Sequence, residues 1–216
     1  MVIKLSEGDC MSEKKELGVK KTPINAHTFL GIPQVLENDF VDIIGNDELL
    51  KSFKIGLICS IKCPGEVILK TLNLLHHMDK AKVCFISGFH SPVEQECYGL
   101  LLRSRQKMII CPARNIQRMR LSQEVKRGVI EEWIALISPF SEKYRTTSKK
   151  TAQLRNLMVA ALADRVLVLH AAPGGKTEEI VKAVIRWGKT VYTIESKYND
   201  HLAKFGVKAI NTLEEM

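Results

Sequence analysis

The chain has 216 residues, 45% of them apolar, and a formal net charge of +8 at pH 7. That is enough apolar matter for one α/β domain with a sizeable core, which excludes a disordered chain. No apolar run approaches the ~20 residues of a membrane span.

Six cysteines fall mostly inside apolar runs such as "LICSIKC" and "KVCFI". This is core usage in a reducing, cytoplasmic compartment rather than a disulfide framework. Cys59 and Cys63 form an isolated C-x-x-x-C with no second ligand pair at zinc spacing, so neither a metal nor another cofactor is expected. The basic balance favours an anionic partner, nucleic acid or a nucleotide. Positive charge gathers in "RSRQK", "ARNIQRMR" and "EKYRTTSKKTAQLRN". The last reads as a polar loop running into a helix, where side chains can reach a ligand.

Residues 1–25 read as a flexible, charged leader that lacks the apolar segment of a signal peptide, and 26–216 as one domain. "FVDIIG" predicts a first strand, closed by the turn signal "GND". "FKIGLIC" is a strand, followed by a helix opening at Pro64-Gly65, where proline's missing N–H costs nothing. "KVCFISG" is a strand with a helix over 92–105. "KMIICP" is a strand with a helix over 121–132, and "WIALISP" is the next strand. After the polar loop, a helix covers 151–163. "RVLVLHA" is a strand, its helix over 177–187 stopping at Gly188. "TVYTIES" is a strand, and "HLAKFGVKAI" a short helix with a last edge strand.

The strands are continuous apolar runs rather than alternating ones, as a parallel sheet covered on both faces demands. Strands alternating with helices predict a Rossmann-like, doubly wound, mostly parallel α/β sheet. In such sheets ligands bind beyond the carboxyl ends of the strands, near the point where strand order reverses. The candidates are therefore the residues just after each strand: Ser60 to Pro64, with Lys62; Ser87 to Ser91, with Gly88, Phe89 and His90; Pro112 to Asn115; Ser138 to Lys150; and His170 to Thr177.

That last stretch, "HAAPGGKTEE", imitates a P-loop, G-x-x-x-x-G-K-[ST]. Gly175, Lys176 and Thr177 supply its second half, but His170 stands where the first glycine must let the chain wrap a phosphate. No apolar run ends in the aspartate that would organise magnesium. The alternative is a strand–turn–helix in which Gly174 and Gly175 let backbone approach a phosphate, with Lys176 and Thr177 in the first helical turn. Phe89 either stacks a base or closes the core. Arg155, with Asn156 near the start of its helix, either pairs on the surface or reaches the pocket. Tyr144 and Arg145 read as a solvated loop or as a stacking and phosphate-binding flap.

The order of these pieces resembles the DprA/Smf family of DNA-processing proteins. "IIGNDELLKSFKIGLICSIKCPGE" is similar to its Gly-Asn-x-x-Leu-Leu run and a strand ending in Gly-Ser-Arg. "CFISGFHSPVEQECYGLLL" resembles its Ser-Gly-x-x-x-Gly-Ile-Asp motif, "CPARN" its Pro-x-x-Asn, and "LRNLMVAALADRVLVLHAAPGG" its Arg-Asn segment and following strand. The family Arg of Gly-Ser-Arg is Ile61 here, beside Lys62. The third Gly, Asp and His of the second motif are Pro92, Glu94 and Tyr98. The resemblance implies a Rossmann-like domain, a homodimer and a non-catalytic pocket holding single-stranded DNA or a nucleotide. At Ser60, Lys62, Ser87–His90, Arg155–Asn156 and Gly174–Thr177 it implies the binding residues.

A sister family, the LOG-type phosphoribohydrolases, carries Pro-Gly-Gly-x-Gly-Thr-x-x-Glu at the same turn. "PGGKTEEI" resembles it one residue short, so Arg155 with Glu178 or Glu179 is the remnant catalytic pair this second resemblance implies. The simpler reading of both glutamates is a carboxylate favouring the helix dipole.

Overall fold

The computed structural model describes residues 18–23, 40–77 and 83–216. Nine strands form one sheet: β1 Val19–Pro23, β2 Phe40–Gly45, β3 Lys54–Cys59, β4 Cys84–Ser87, β5 Met108–Ile110, β6 Ile134–Ser138, β7 Arg165–His170, β8 Val191–Ile194 and β9 Lys208–Ile210. Their order across the sheet is β1-β2-β6-β5-β4-β3-β7-β8-β9. From β6 to β9 every pairing is parallel, while β1 and β2 add an antiparallel edge.

Five helices cover the sheet: α1 Gly65–His76, α2 Pro92–Arg103, α3 Gln123–Ile130, α4 Lys149–Leu162 and α5 Lys176–Arg186. Alternate residues of each strand feed two separate cores. Ile55, Leu57 and Phe85 pack with Val67 of α1, Val93 of α2 and Val125 of α3. Ile58, Ile86 and Val168 pack with Val159 of α4 and Val181 of α5. The doubly wound α/β fold is thus the expected one.

Differences from the expected elements lie at their ends. The helix expected from residue 151 begins at Lys149 because Ser148 caps it. Its hydroxyl accepts from the Thr151 N–H at 3.1 Å, and Thr151 Oγ1 accepts from the Ser148 N–H at 2.9 Å. Of the expected leader, residues 1–17 and 24–25 lie outside the described residues, but Val19–Pro23 are a strand rather than a flexible arm. They ladder onto Phe40–Ile44 of β2, and Val19 packs against the core. Of the lysines that suggested a solvated leader, Lys20 and Lys21 lie on this edge strand, where charged side chains are ordinary.

The strand order reverses between β3 and β7. Their register shifts between Ile58 and Cys59, at the carboxyl end. A ligand cleft belongs at such a switch point.

Candidate functional site

A cavity of about 780 Å³ opens at that place. Ser60, Ile61 and Lys62 after β3 form one wall, and His90, Ser91 and Glu94 after β4 a second. Ser148, Lys149, Arg155 and Asn156 of α4 form a third, and Lys176, Thr177 and Ile180 of α5 close it.

The floor is made of buried polar groups that are already occupied. Glu94 is the hub. One carboxylate oxygen accepts from the Cys59 N–H at 2.8 Å; the other accepts from the His90 and Ser91 N–H groups at 2.8 and 3.3 Å. It thereby ties the end of β3 to the start of α2, whose Ser91 cap accepts in turn from the Glu94 N–H.

Arg155 lies across this floor, 3% exposed. It donates from Nη1 to the Cys111 carbonyl at 3.0 Å and from Nε to Asn156 Oδ1 at 2.7 Å. Burial lowers its pKa, against the opposing pull of the Glu94 carboxylate. Gly88 explains how the guanidinium fits. A Cβ at residue 88 would stand 1.2 Å from Arg155 Nη1. The glycine of "SGFH" is therefore the space that the arginine fills.

The rim differs. Lys62, Lys149 and Lys176 are exposed, and among the described residues no carboxylate pairs with them. Helices α2, α3 and α4 each begin with a serine whose side chain caps a backbone N–H. Helix α5 begins at Gly175 with no side-chain cap, leaving its first N–H groups at the positive end of the helix dipole for an anion. Gly174, at φ +68°, makes the turn that aims them. Ser60 fixes the opposite side, its hydroxyl accepting from the Ala172 N–H at 3.0 Å.

His170 answers the P-loop question. It is buried, and its Nδ1 lies 2.9 Å from Asn199 Oδ1. Asn199 spends its amide protons on the Leu169 and Ile194 carbonyls, so its oxygen accepts and the proton sits on the histidine Nδ1. The position that should be a wrapping glycine is a strut joining β7 to β8.

Seven predicted residues thus come together on the cavity: Ser60, Lys62, His90, Arg155, Asn156, Lys176 and Thr177. The others stand behind it. Ser87 is wholly buried, donating to the Leu57 carbonyl and accepting from the Phe89 N–H. Phe89 offers no stacking face: it is 8% exposed and packs on Tyr98 with ring centroids 5.2 Å apart. Its φ of +47° is costly for a residue with a side chain, and core burial offsets the strain. Gly88 yields to Arg155, while Gly174 and Gly175 shape the turn. Lys149 and Glu94 were not among the predicted binding residues. The signal for Lys149 was the Ser148–Thr151 capping spacing, which moves the helix start onto it.

Glu178 faces away from the cavity. It accepts from the Gly174 N–H at 3.1 Å and pairs with Lys182 at 2.7 Å, with His201 3.7 Å away. Lys182 first, and the Gly174 N–H second, hold it below the usual carboxylate range. It braces the α5 turn; the helix-end reading holds for it, and it makes no pair with Arg155.

The fold and site define a Rossmann-like protein with a cleft rimmed by exposed lysines at the topological switch point. A family model described as DNA recombination-mediator protein A matches residues 33–213. The chain belongs to that family. The X-ray structure of DNA processing protein A (DprA) from Streptococcus pneumoniae superposes with a TM-score of 0.68 at 17% identity, covering 82% of this chain and 65% of that one. The chain therefore spans about two thirds of the pneumococcal protein. DNA processing protein A from Helicobacter pylori, whose structure addresses its single-stranded DNA binding mode, superposes with a TM-score of 0.70 at 15% identity, covering 93% and 94%. A comparison with curated proteins finds no significant match.

Proposed function

We propose that this protein binds single-stranded nucleic acid in the switch-point cleft, without catalysis, in DNA processing, uptake or recombination. The observation that carries the reading is the mixed lining of the cleft. Lys62, Lys149, Lys176 and the uncapped α5 N-terminus supply positive groups for phosphates. Ile61, Ala152, Ala172 and Ile180, on the same walls, supply apolar surface for a base. Ile61, in place of the family arginine, is 63% exposed at the mouth; Lys62 takes over the positive charge and Ile61 offers the base a surface.

The relative from H. pylori, matched over nearly its whole length, supports this choice of ligand. A nucleotide is the second reading, favoured by the cavity's volume of about 780 Å³, which falls within the ~300–1,000 Å³ typical of small-ligand sites. A base-releasing hydrolase is not favoured, because Glu178 is turned towards Lys182 and neither Glu178 nor Glu179 lines the cleft beside Arg155. Following the family, the protein works in the cytoplasm as a homodimer, which light scattering of the full chain tests.

The deciding experiment is anisotropy of labelled oligo-dT against unlabelled mononucleotide as competitor. Binding that a strand contributes and millimolar mononucleotide cannot displace supports the nucleic-acid reading. Complete displacement by mononucleotide at equal affinity moves the protein to the nucleotide reading. Release of free base from purine nucleoside monophosphates, abolished in Glu179→Ala, makes it an enzyme.

A further inference from the structure

A second, smaller cavity of about 180 Å³ lies beyond the ends of β5 and β6, outside the cleft described above. Arg114, Arg118 and Arg145 line it, with Glu142 as the one carboxylate among its lining residues. Among the described residues, no ion pair or hydrogen bond holds any of the three guanidinium groups. Three arginines against one carboxylate leave the concavity with a net positive charge that favours an anion.

The backbone beneath them is fixed. Ser138 Oγ donates to the Arg114 carbonyl at 2.8 Å, the Asn115 N–H donates to the Tyr144 carbonyl at 2.8 Å, and Asn115 Nδ2 donates to the Phe140 carbonyl at 2.8 Å. Tyr144 is fixed from its other side by its ring against Phe140, with centroids 5.5 Å apart. The arginines therefore stand on a braced platform, and their planar forks suit phosphate oxygens.

One loop contributes to both cavities. The loop between β6 and α4 gives Glu142 and Arg145 to the smaller cavity and Thr147, Ser148 and Lys149 to the larger. Both lie along the carboxyl edge of one sheet. From β3 to β6 is three strand steps, about 14 Å at ~4.8 Å each. A mononucleotide in the cleft does not reach that far, but a strand does.

We propose that Arg114, Arg118 and Arg145 form a second phosphate-binding site, which takes the backbone of the same single strand after it leaves the cleft and crosses the β6–α4 loop. This rests on the reading of the cleft as a nucleic-acid site. The site sets a length requirement: short oligomers fill the cleft alone, and longer ones engage both cavities.

The test compares oligo-dT of about four and about sixteen nucleotides on the full chain, across a salt series. Arg118→Ala/Arg145→Ala removes two exposed cations without touching the core. It is expected to bind the short oligomer as the unaltered protein does. For the long one it should lose on the order of tenfold in affinity, with a log–log salt slope shallower by about 1.4, two contacts at ~0.7 each. Lys126→Ala/Lys208→Ala removes the same charge elsewhere and is expected to change neither.

Unaltered binding of the long oligomer by the arginine variant, with Lys62→Ala/Lys176→Ala weakened, overturns the second site and leaves the cleft standing. Equal losses in the arginine variant and the Lys126/Lys208 control overturn it in favour of diffuse charge. A length-dependent loss in the arginine variant with no loss in Lys62→Ala/Lys176→Ala overturns the cleft, and with it the proposal of one strand spanning both sites. If the unaltered protein binds neither oligomer, both fall.

Discussion

At the amino edge of the sheet, Lys54 donates to Asp164 Oδ2 at 2.9 Å and to the Ser52 carbonyl at 2.8 Å. Lys189 donates to the Ala160 and Ala163 carbonyls at 3.1 and 2.8 Å, and to that of Ala161, at the C-terminal end of α4. At the carboxyl edge, Lys62, Lys149 and Lys176 have no such partners among the described residues. The same residue type closes a helix end and a strand end on one side and stands open on the other. A net charge of +8 cannot distinguish these two kinds of lysine; their partners can. Within the cleft the contrast recurs over a shorter distance, between a floor of satisfied buried charges and a rim of free ones.

The sharpest way to break this division is at the floor. Arg155→Ala should cost about 3 kcal/mol, since it strips the Cys111 carbonyl of its donor and leaves the Glu94 charge uncompensated. For a domain of this size that lowers Tm by roughly 6–12 °C. Gly88→Ala should cost a similar amount by expelling the guanidinium. The double variant should be less destabilised than the sum of the two, because the new methyl occupies the emptied space. Strict additivity in thermal melts contradicts the idea that Gly88 exists for Arg155.

Glu94→Gln comes next, at about 2 kcal/mol, because an amide cannot accept on both sides from three backbone N–H groups. Denaturant titration checks it.

Lys189→Ala should cost about 1 kcal/mol through the lost donor at the α4 end and leave oligo-dT affinity unchanged. A loss of affinity there would blur the distinction between the two edges.

The smallest effect is in acid. Lys182 and the Gly174 N–H hold the folded-state pKa of Glu178 below its unfolded value. Its contribution is thus present above the ordinary carboxylate range and lost as pH falls through the folded pKa. Glu178→Gln should make stability less steeply dependent on pH below that range; an unchanged acid limb would remove Glu178 from the bracing of the α5 turn.

The strand order that sets the cleft between β3 and β7 arises from contacts between distant segments, but the sheet itself was legible because its parallel strands are unbroken apolar runs. The antiparallel edge was not, since "VKKTP" pairs through backbone and carries little apolar signal. Residues lining the cleft were legible by position after a strand but not by direction. "SGFH" presents four plausible ligands, of which only His90 lines the cleft. Ser87 turns down to a carbonyl, Gly88 yields its space and Phe89 turns inward on Tyr98. Arg155 reads in sequence as a surface or pocket cation, because nothing local reports that a glycine 67 positions earlier makes room for it. The second arginine cavity was legible only as two separate strand ends: nothing local reports that hydrogen bonds from Asn115 to the Tyr144 and Phe140 carbonyls bring Arg114 and Arg145 to one place.

On this reading, open lysines at the carboxyl edge, rather than overall charge, bind the ligand. The direct measurement is the salt dependence of oligo-dT affinity for Lys62→Ala/Lys149→Ala/Lys176→Ala, whose Tm should stay within about 1–2 °C of the unaltered protein because all three side chains are exposed. The account predicts a log–log slope shallower by about 2, three contacts at ~0.7 each, against no change for Lys126→Ala/Lys204→Ala/Lys208→Ala. Equal slopes in the two triple variants would contradict it.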